Sequence, residues 1–395
     1  MELAELTDDR VNLLVSKQDR WYCDTNAGRL FDISCGNQTF IWGYNHWNIL
    51  WAVHGITNKV SWVNYKASES TESVDLLANN ITQESGLHSV AWAVSGTDAV
   101  ELAFYLKDLY FKKHNPNRQE IICFAPGYSG TSLLPSILRG EFEVPWCHIV
   151  DTGIWPTIVA RQHHENAALQ QVEDLLKNNH NIGTVFMESI PWIEKLRPWS
   201  DSWWHEVRRL CDKYECLLIV DDVMGGYGKT GTRFTHNAQG ILPDLVISGK
   251  SITGGYTPLS TVCMSEDITR SVSAKFGFSH TWSPNMAGVD AANWIWRHWP
   301  EETAFNNITS RFNSLITERL TKGHIKQGWH KGILCSVELV NPITQLKLLE
   351  SGIMPSGLGC YYDNNHLTLC VPVGIEDNGY WDELNERLDN AFSNT

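Results

Sequence analysis

Between about residue 90 and residue 265 the chain alternates short apolar runs with longer amphipathic stretches, and this alternation narrows the possible folds more than any other feature. Ser89 to Val94, Ile121 to Phe124, Thr184 to Met187, Leu217 to Val220, Leu245 to Ile247 and Ser260 to Met264 have the length and apolar content of strands. Between them, Asp98 to Lys112, Asn166 to Asn178 and Trp203 to Tyr214 carry apolar residues at helical spacing. Strands alternating with helices predict an α/β fold, a mostly parallel central sheet covered by helices on both faces. After about residue 290 the pattern changes to a long helical stretch, strand-like runs at Ile333 to Leu339 and Leu367 to Val371, and a final helix near Tyr380 to Phe392. The chain, at 395 residues, is longer than one core usually supports. We expect a segment 1–45 that packs with a small α+β domain at 290–395, and a large domain over 46–289.

In sheets of this kind ligands collect just beyond the strand ends, and three such places carry chemistry. Ser95-Gly96-Thr97 closes one strand and opens a helix. Its glycine and the free N–H groups of a first helical turn suit a phosphate, although a serine there is also an ordinary helix cap. Leu217 to Val220 runs into Asp221-Asp222, where one carboxylate can pair with a protonated heterocyclic nitrogen or simply cap the next turn. Pro243 to Ser248 runs into Gly249-Lys250, where a sheltered amine is a candidate nucleophile and an exposed one is only a surface lysine. Two Gly-Lys-Ser/Thr sequences imitate a nucleotide-binding loop, but the glycine required five places earlier is Val223 in one and Asp244 in the other. Gly226 to Gly231 spells GxGxxG, yet Asp221 to Gly225 separate it from its strand, so it is not the dinucleotide fingerprint.

Taken together, from about Phe31 to the C-terminus, the chain resembles the class III aminotransferases, enzymes of fold type I that depend on pyridoxal 5′-phosphate (PLP). Ser95-Gly96-Thr97-Asp98-Ala99 is similar to the family's phosphate turn, and Tyr128-Ser129-Gly130 to its Tyr-His-Gly segment. Leu218 to Gly231 resembles the stretch LIxDEVxxGxGRTG, and Pro243 to Lys250 resembles PDxxxxGK with the Schiff-base lysine. Gly43 to His46 and Phe278 to Asn285 match weaker segments. The resemblance implies that Lys250 binds the cofactor covalently and shuttles protons, that Asp221 pairs with the pyridine nitrogen, and that Val223 and Tyr128 flank the ring. It also implies that Ser95, Gly96 and Thr97 hold the phosphate together with Thr281 from the partner subunit of a homodimer, with Glu188 nearby. The reaction implied is transfer of an amino group from an amine or amino acid to a carbonyl acceptor. An aminomutase like glutamate-1-semialdehyde aminomutase, or a PLP decarboxylase or lyase, is the alternative.

Departures from the family pattern concern the substrate. Ser129 replaces His, Asp222 replaces Glu, Lys229 replaces Arg, and Gly357 to Leu369 contains no arginine to fork onto a substrate carboxylate. That leaves Arg29, Arg139 and Arg197 as arginines to reach the site from elsewhere. The 18 tryptophans suit core and interface packing or an aromatic pocket wall, for which Trp42 and Trp62 are the candidates. A formal charge of −14 argues against nucleic-acid binding. The acidic start, Met1 to Arg10, lacks the layout of a signal peptide, no stretch is apolar enough to span a membrane, and ten scattered cysteines show no zinc spacing. We expect a cytoplasmic enzyme with no metal.

Overall fold

The computed structural model describes residues 13–57, 60–64, 69–152, 158–191, 195–272, 280–354, 365–373 and 378–393. Met1 to Arg10, Phe278, Ser279 and 357–364 of the arginine-free stretch therefore lie outside the described residues. Two compact units are present, one of Met1–Trp47 with Pro300–Thr395 and one of Asn48–Trp299.

The first unit begins with β1 (Val15–Asp19), β2 (Tyr22–Thr25) and β3 (Gly28–Phe31), an antiparallel sheet. The second unit contains β4 (Ser89–Ala93), β5 (Glu120–Ala125), β6 (Cys147–Asp151), β7 (Ile182–Glu188), β8 (Leu217–Asp221), β9 (Leu245–Ser248) and β10 (Ser260–Met264). The first unit is completed by the antiparallel strands β11 (Ile325–Lys331), β12 (Leu334–Leu339) and β13 (His366–Cys370) and by the helix Asn378–Phe392.

The seven strands of the second unit lie in the order β4-β10-β9-β8-β7-β5-β6. β5 to β9 run parallel, while β10 is antiparallel to both β4 and β9. Successive side chains of a strand point to opposite faces, and the two cores follow that rule. Leu218, Val220 and Val246 join one core with Trp203, Trp204 and Val207 of the helix Asp201–Lys213. Leu217, Ile219, Leu245 and Ile247 join the other with Ala99, Leu102, Ala103 and Leu106 of the helix Gly96–His114. Burial on both faces is why β8 and β9 are unbroken apolar runs. Within the first core Trp199 and Trp203 stack with centroids 4.3 Å apart, and a buried indole of this kind is worth about 3–5 kcal/mol against alanine.

Each of the six expected strands is present. β6 is an addition: it lies at the sheet edge and buries only Val150, so no run of apolar residues announces it.

Candidate active site

The site is assembled by strand register. Asp221 closes β8 directly opposite Glu188 at the end of β7 and Ile247 on β9, and Lys250 lies three residues beyond Ile247 at the same edge of the sheet. The helix Gly96–His114 starts there too, directly after β4. A cavity of about 160 Å³ results, bordered by Gly96, Thr97, Tyr128, Glu188, Asp221, Val223 and Lys250. Ser129, Gly130 and Met224 complete its lining; they lie within the family-like segments Tyr128 to Gly130 and Leu218 to Gly231, but nothing in the sequence assigns them a role.

The two consecutive aspartates separate in role. Asp222 is buried and accepts Thr235 N–H at 2.9 Å and Thr235 Oγ1–H at 2.6 Å, so it fixes the loop that follows β8. Asp221 faces the cavity, and its carboxylate accepts the Val223 N–H at 3.1 Å. Burial pushes the Asp221 carboxyl up to about 7; the negative Asp222 adds to the rise, and the Val223 N–H and the Lys250 amine oppose it. A carboxylate held in this way is stabilised by a further cationic hydrogen-bond donor placed in the cavity.

Lys250 begins the 3₁₀ turn Lys250–Thr253 in the left-handed region, at φ +47°. A non-glycine residue there costs roughly 1–2 kcal/mol, a strain of the kind found where function dictates the backbone. A side chain at Gly249 would put its Cβ 2.8 Å from Ser260 Oγ and 3.5 Å from Val223 Cγ2, so the approach to Lys250 requires glycine. The loop that imitates a nucleotide-binding motif closes on itself: Gly228 N–H bonds Thr232 O at 2.9 Å, and the fully buried Lys229 donates to Ser251 Oγ at 3.0 Å.

On the opposite wall, Glu188 Oε1 accepts the Tyr128 N–H at 2.8 Å and Thr97 Oγ1 accepts the Thr131 N–H at 3.3 Å. Gly130, at φ +126°, lies so near Thr97 that an added Cβ would come 2.5 Å from Thr97 Oγ1. The first N–H groups of an α-helix have no intrahelical acceptor. Ser95 Oγ takes that of Asp98 at 3.2 Å, and Asp98 in turn accepts the Val94 N–H at 2.8 Å. Gly96 and Thr97 begin the same helix at the cavity wall, where a first helical turn has the chemistry to suit an anion.

Four expected residues do not border the cavity. Ser95 is the helix cap, its more ordinary reading. Trp62 is 49% exposed and donates from Nε1 to Thr281 O at 2.6 Å, so these two residues form a separate surface feature. Trp42 belongs to the unit of Met1–Trp47 and Pro300–Thr395.

A sequence model of the family described as Aminotransferase class-III matches residues 6–392. The adenosylmethionine-8-amino-7-oxononanoate aminotransferase of Aquifex aeolicus is 26% identical over 388 residues, covering 88% of this chain and 83% of that protein. The 5-aminovalerate aminotransferase DavT of Pseudomonas putida is 26% identical over 386 residues, covering 90% of this chain and 87% of that protein. Among solved structures, an amine transaminase from an uncultivated Pseudomonas species in a PLP-bound form superposes with a TM-score of 0.86 over 100% of this chain and 97% of that one. At 18% identity that likeness speaks for the fold.

Proposed function

The chain belongs to the class III aminotransferase family, whose members are PLP-dependent enzymes, and from that premise we propose that the cavity at the ends of β8 and β9 holds the cofactor and is where the amino group is transferred. The observation that carries this reading is Asp221. Its carboxyl is buried and lifted to about 7 beside the Lys250 amine, and a protonated pyridine nitrogen is the cation that would restore its ionised form. The remaining lining fits the same group: Val223 and Tyr128 offer ring-facing walls, and the helix start at Gly96 and Thr97 offers N–H groups to a phosphate.

When bound, PLP supplies an electron sink for the carbon–hydrogen bond broken in the donor. The residues of the chain do the rest. Lys250 Nζ would hold the cofactor and, once displaced by the donor amine, would be free to take the proton from the donor carbon. Asp221 would keep the pyridine N–H protonated, while Glu188 fixes the backbone of Tyr128 through the bond at 2.8 Å and Thr97 supports the loop that follows. The donor is an amine or amino acid and the acceptor a carbonyl compound.

We assign a homodimer in which the partner subunit supplies Thr281 to the phosphate. Supporting this, Thr281 shares an exposed patch with Trp62, bonded at 2.6 Å, and Trp282, 63% exposed, and exposed aromatic side chains of this kind favour a protein interface. A reducing, cytoplasmic setting is supported by the nine cysteines among the described residues, all of them free, including Cys123 and Cys147 with Sγ atoms 3.7 Å apart. Among the described residues no helix is long and apolar enough to cross a membrane.

The test is to load the protein with PLP, reduce it with borohydride, and locate the modified residue by peptide mass spectrometry, expecting Lys250. Modification of a different lysine would overturn the site. Candidate amines added to unreduced enzyme should then yield carbonyl products, whereas carbon dioxide release would assign the protein to decarboxylation instead.

A further inference from the structure

Arg139 borders the small cavity that Tyr128 shares with Trp199, and it is not among the residues lining the larger cavity. Tyr128 borders both, as do Ser129 and Glu188. The Arg139 Cζ is 5.4 Å from the centroid of that ring, within the range of a cation–π contact. Four of the five guanidinium N–H groups are engaged. Nη1 donates to the carbonyl of Gly130, Nη2 donates to Ser136 Oγ at 3.0 Å, and Nε and Nη2 fork onto Glu141 Oε1 at 3.1 and 2.7 Å. Its side chain is only 14% exposed. Absent from the lining of the larger cavity, Arg139 is not placed to meet a substrate carboxylate there.

We propose that Arg139 is a positioning residue for the cofactor-facing loop, holding the Tyr128 ring and the Gly130 carbonyl in one rigid clamp. The proposal rests on the reading of Tyr128 as a ring-facing wall of the cofactor cavity. Three grips then act on four consecutive residues: Glu188 holds the Tyr128 N–H, Thr97 holds the Thr131 N–H, and Arg139 holds the Gly130 carbonyl and the ring. The first two come from the ends of β7 and the start of the helix Gly96–His114, and Arg139 caps the short helix Leu133–Leu138 that the loop leads into. Without Arg139 the loop keeps its ties to β7 and to the helix Gly96–His114 but loses the bond to the Gly130 carbonyl and the cation at the Tyr128 ring.

The test uses Arg139→Met, which keeps the aliphatic stem, and Arg139→Lys, which keeps a cation but cannot fork. Two readouts separate this proposal from the assignment of the cavity itself. The first is amide hydrogen exchange in protein free of cofactor, followed in peptides spanning 126–132. Arg139→Met should exchange there about tenfold faster than wild type, with the peptides of β8 and β9 unchanged, the loss of a charged hydrogen bond and a cation–π contact being of that order. Arg139→Lys should do the same to a smaller degree. The second is the dissociation constant for PLP, which should rise about tenfold in Arg139→Met, with the absorbance maximum of the bound cofactor unchanged. Unaltered exchange over 126–132 in both variants overturns the clamp. Faster exchange with unaltered PLP affinity overturns the link between the clamp and the cofactor, and so points at the role of Tyr128 rather than at Arg139. Should Arg139→Met fail to fold, Arg139→Lys alone decides, since unchanged exchange in that variant excludes a clamp that depends on the guanidinium.

Discussion

Asp221 and Lys250 face one cavity from the ends of adjacent parallel strands, although 29 residues separate them in sequence. The pairing of Asp221 with Ile247 places Lys250 three residues further on, at the same edge. Neither residue is comfortable there without a ligand: the carboxyl is buried and lifted to about 7, and the lysine backbone is left-handed at φ +47°. Sites poised in this way give up stability to be ready for a partner, so each discomfort is measurable in protein free of cofactor.

The carboxyl makes stability depend on pH. An unfolded aspartate ionises near pH 3.9, whereas folded Asp221 keeps its proton up to about pH 7, so the folded state binds the additional proton between those values. Its contribution is therefore complete below about pH 4 and is lost as the pH rises through about 7. Asp221→Asn imitates the neutral form. Melting curves of cofactor-free protein should show the variant gaining on wild type by a few degrees from pH 4 to pH 8, while its transaminase activity with PLP falls by orders of magnitude. A difference in melting temperature that is flat across this range would refute the assignment of the shift to Asp221.

The strained lysine predicts an order among substitutions. Lys250→Ala and Lys250→Gly both remove the amine and both should abolish turnover. Only glycine relieves the left-handed backbone, so cofactor-free Lys250→Gly should be more stable than Lys250→Ala by about 1 kcal/mol. Chemical denaturation measures this directly. Equal midpoints would mean that φ +47° carries no strain, and turnover in either variant would remove Lys250 from the chemistry.

Gly130→Ala should be among the more damaging changes near the site. A Cβ there meets Thr97 Oγ1 at 2.5 Å and the Thr97 Cα and Cβ at 3.0 Å, and φ +126° is unsuited to alanine. Relaxation requires the loop to move off the start of the helix, costing about 1–3 kcal/mol of stability and weakening PLP binding. Removing the hydroxyl with Thr97→Ala should relieve part of the damage, because Thr97 Cα remains in contact. Calorimetry and a PLP titration of the single and double variants test this, and a fully additive double variant would show that the two residues do not collide.

Much of this was legible in the sequence, for a physical reason. A strand buried on both faces must be an apolar run, so β8 and β9 announce themselves and the polar residues ending them stand out as Asp221 and Lys250. β1 carries the sequence Val-Ser-Lys-Gln-Asp with no fully buried residue, and β6 buries Val150 alone; neither contains a pattern to find. Arg139 was legible only as one arginine among several. The role proposed for it depends on a hydrogen bond to the Gly130 carbonyl, nine residues earlier, and on a ring reached across the turn, which no spacing rule encodes.

Thr281 lies outside the cavity of its own chain and carries a carbonyl bonded to Trp62 on an exposed face. If the partner subunit supplies this residue to the phosphate, two defective chains should repair one another. A Lys250→Ala chain retains Thr281, and a Thr281→Ala chain retains Lys250. Each site takes its lysine from one chain and its threonine from the other, so one of the two sites in the mixed dimer has both and the second site has neither. Mixing the variants after dissociation should therefore produce a population of sites with wild-type affinity for PLP, alongside sites that do not bind it covalently. Neither homodimer contains such a population, because Lys250→Ala lacks the amine throughout and Thr281→Ala lacks the hydroxyl throughout. A threonine acting within its own chain gives the opposite result: the mixed dimer then has one site without the lysine and one without the threonine, and its PLP titration is the average of the two homodimers. That average, or a protein that sediments as a monomer at assay concentration, would sink the shared site.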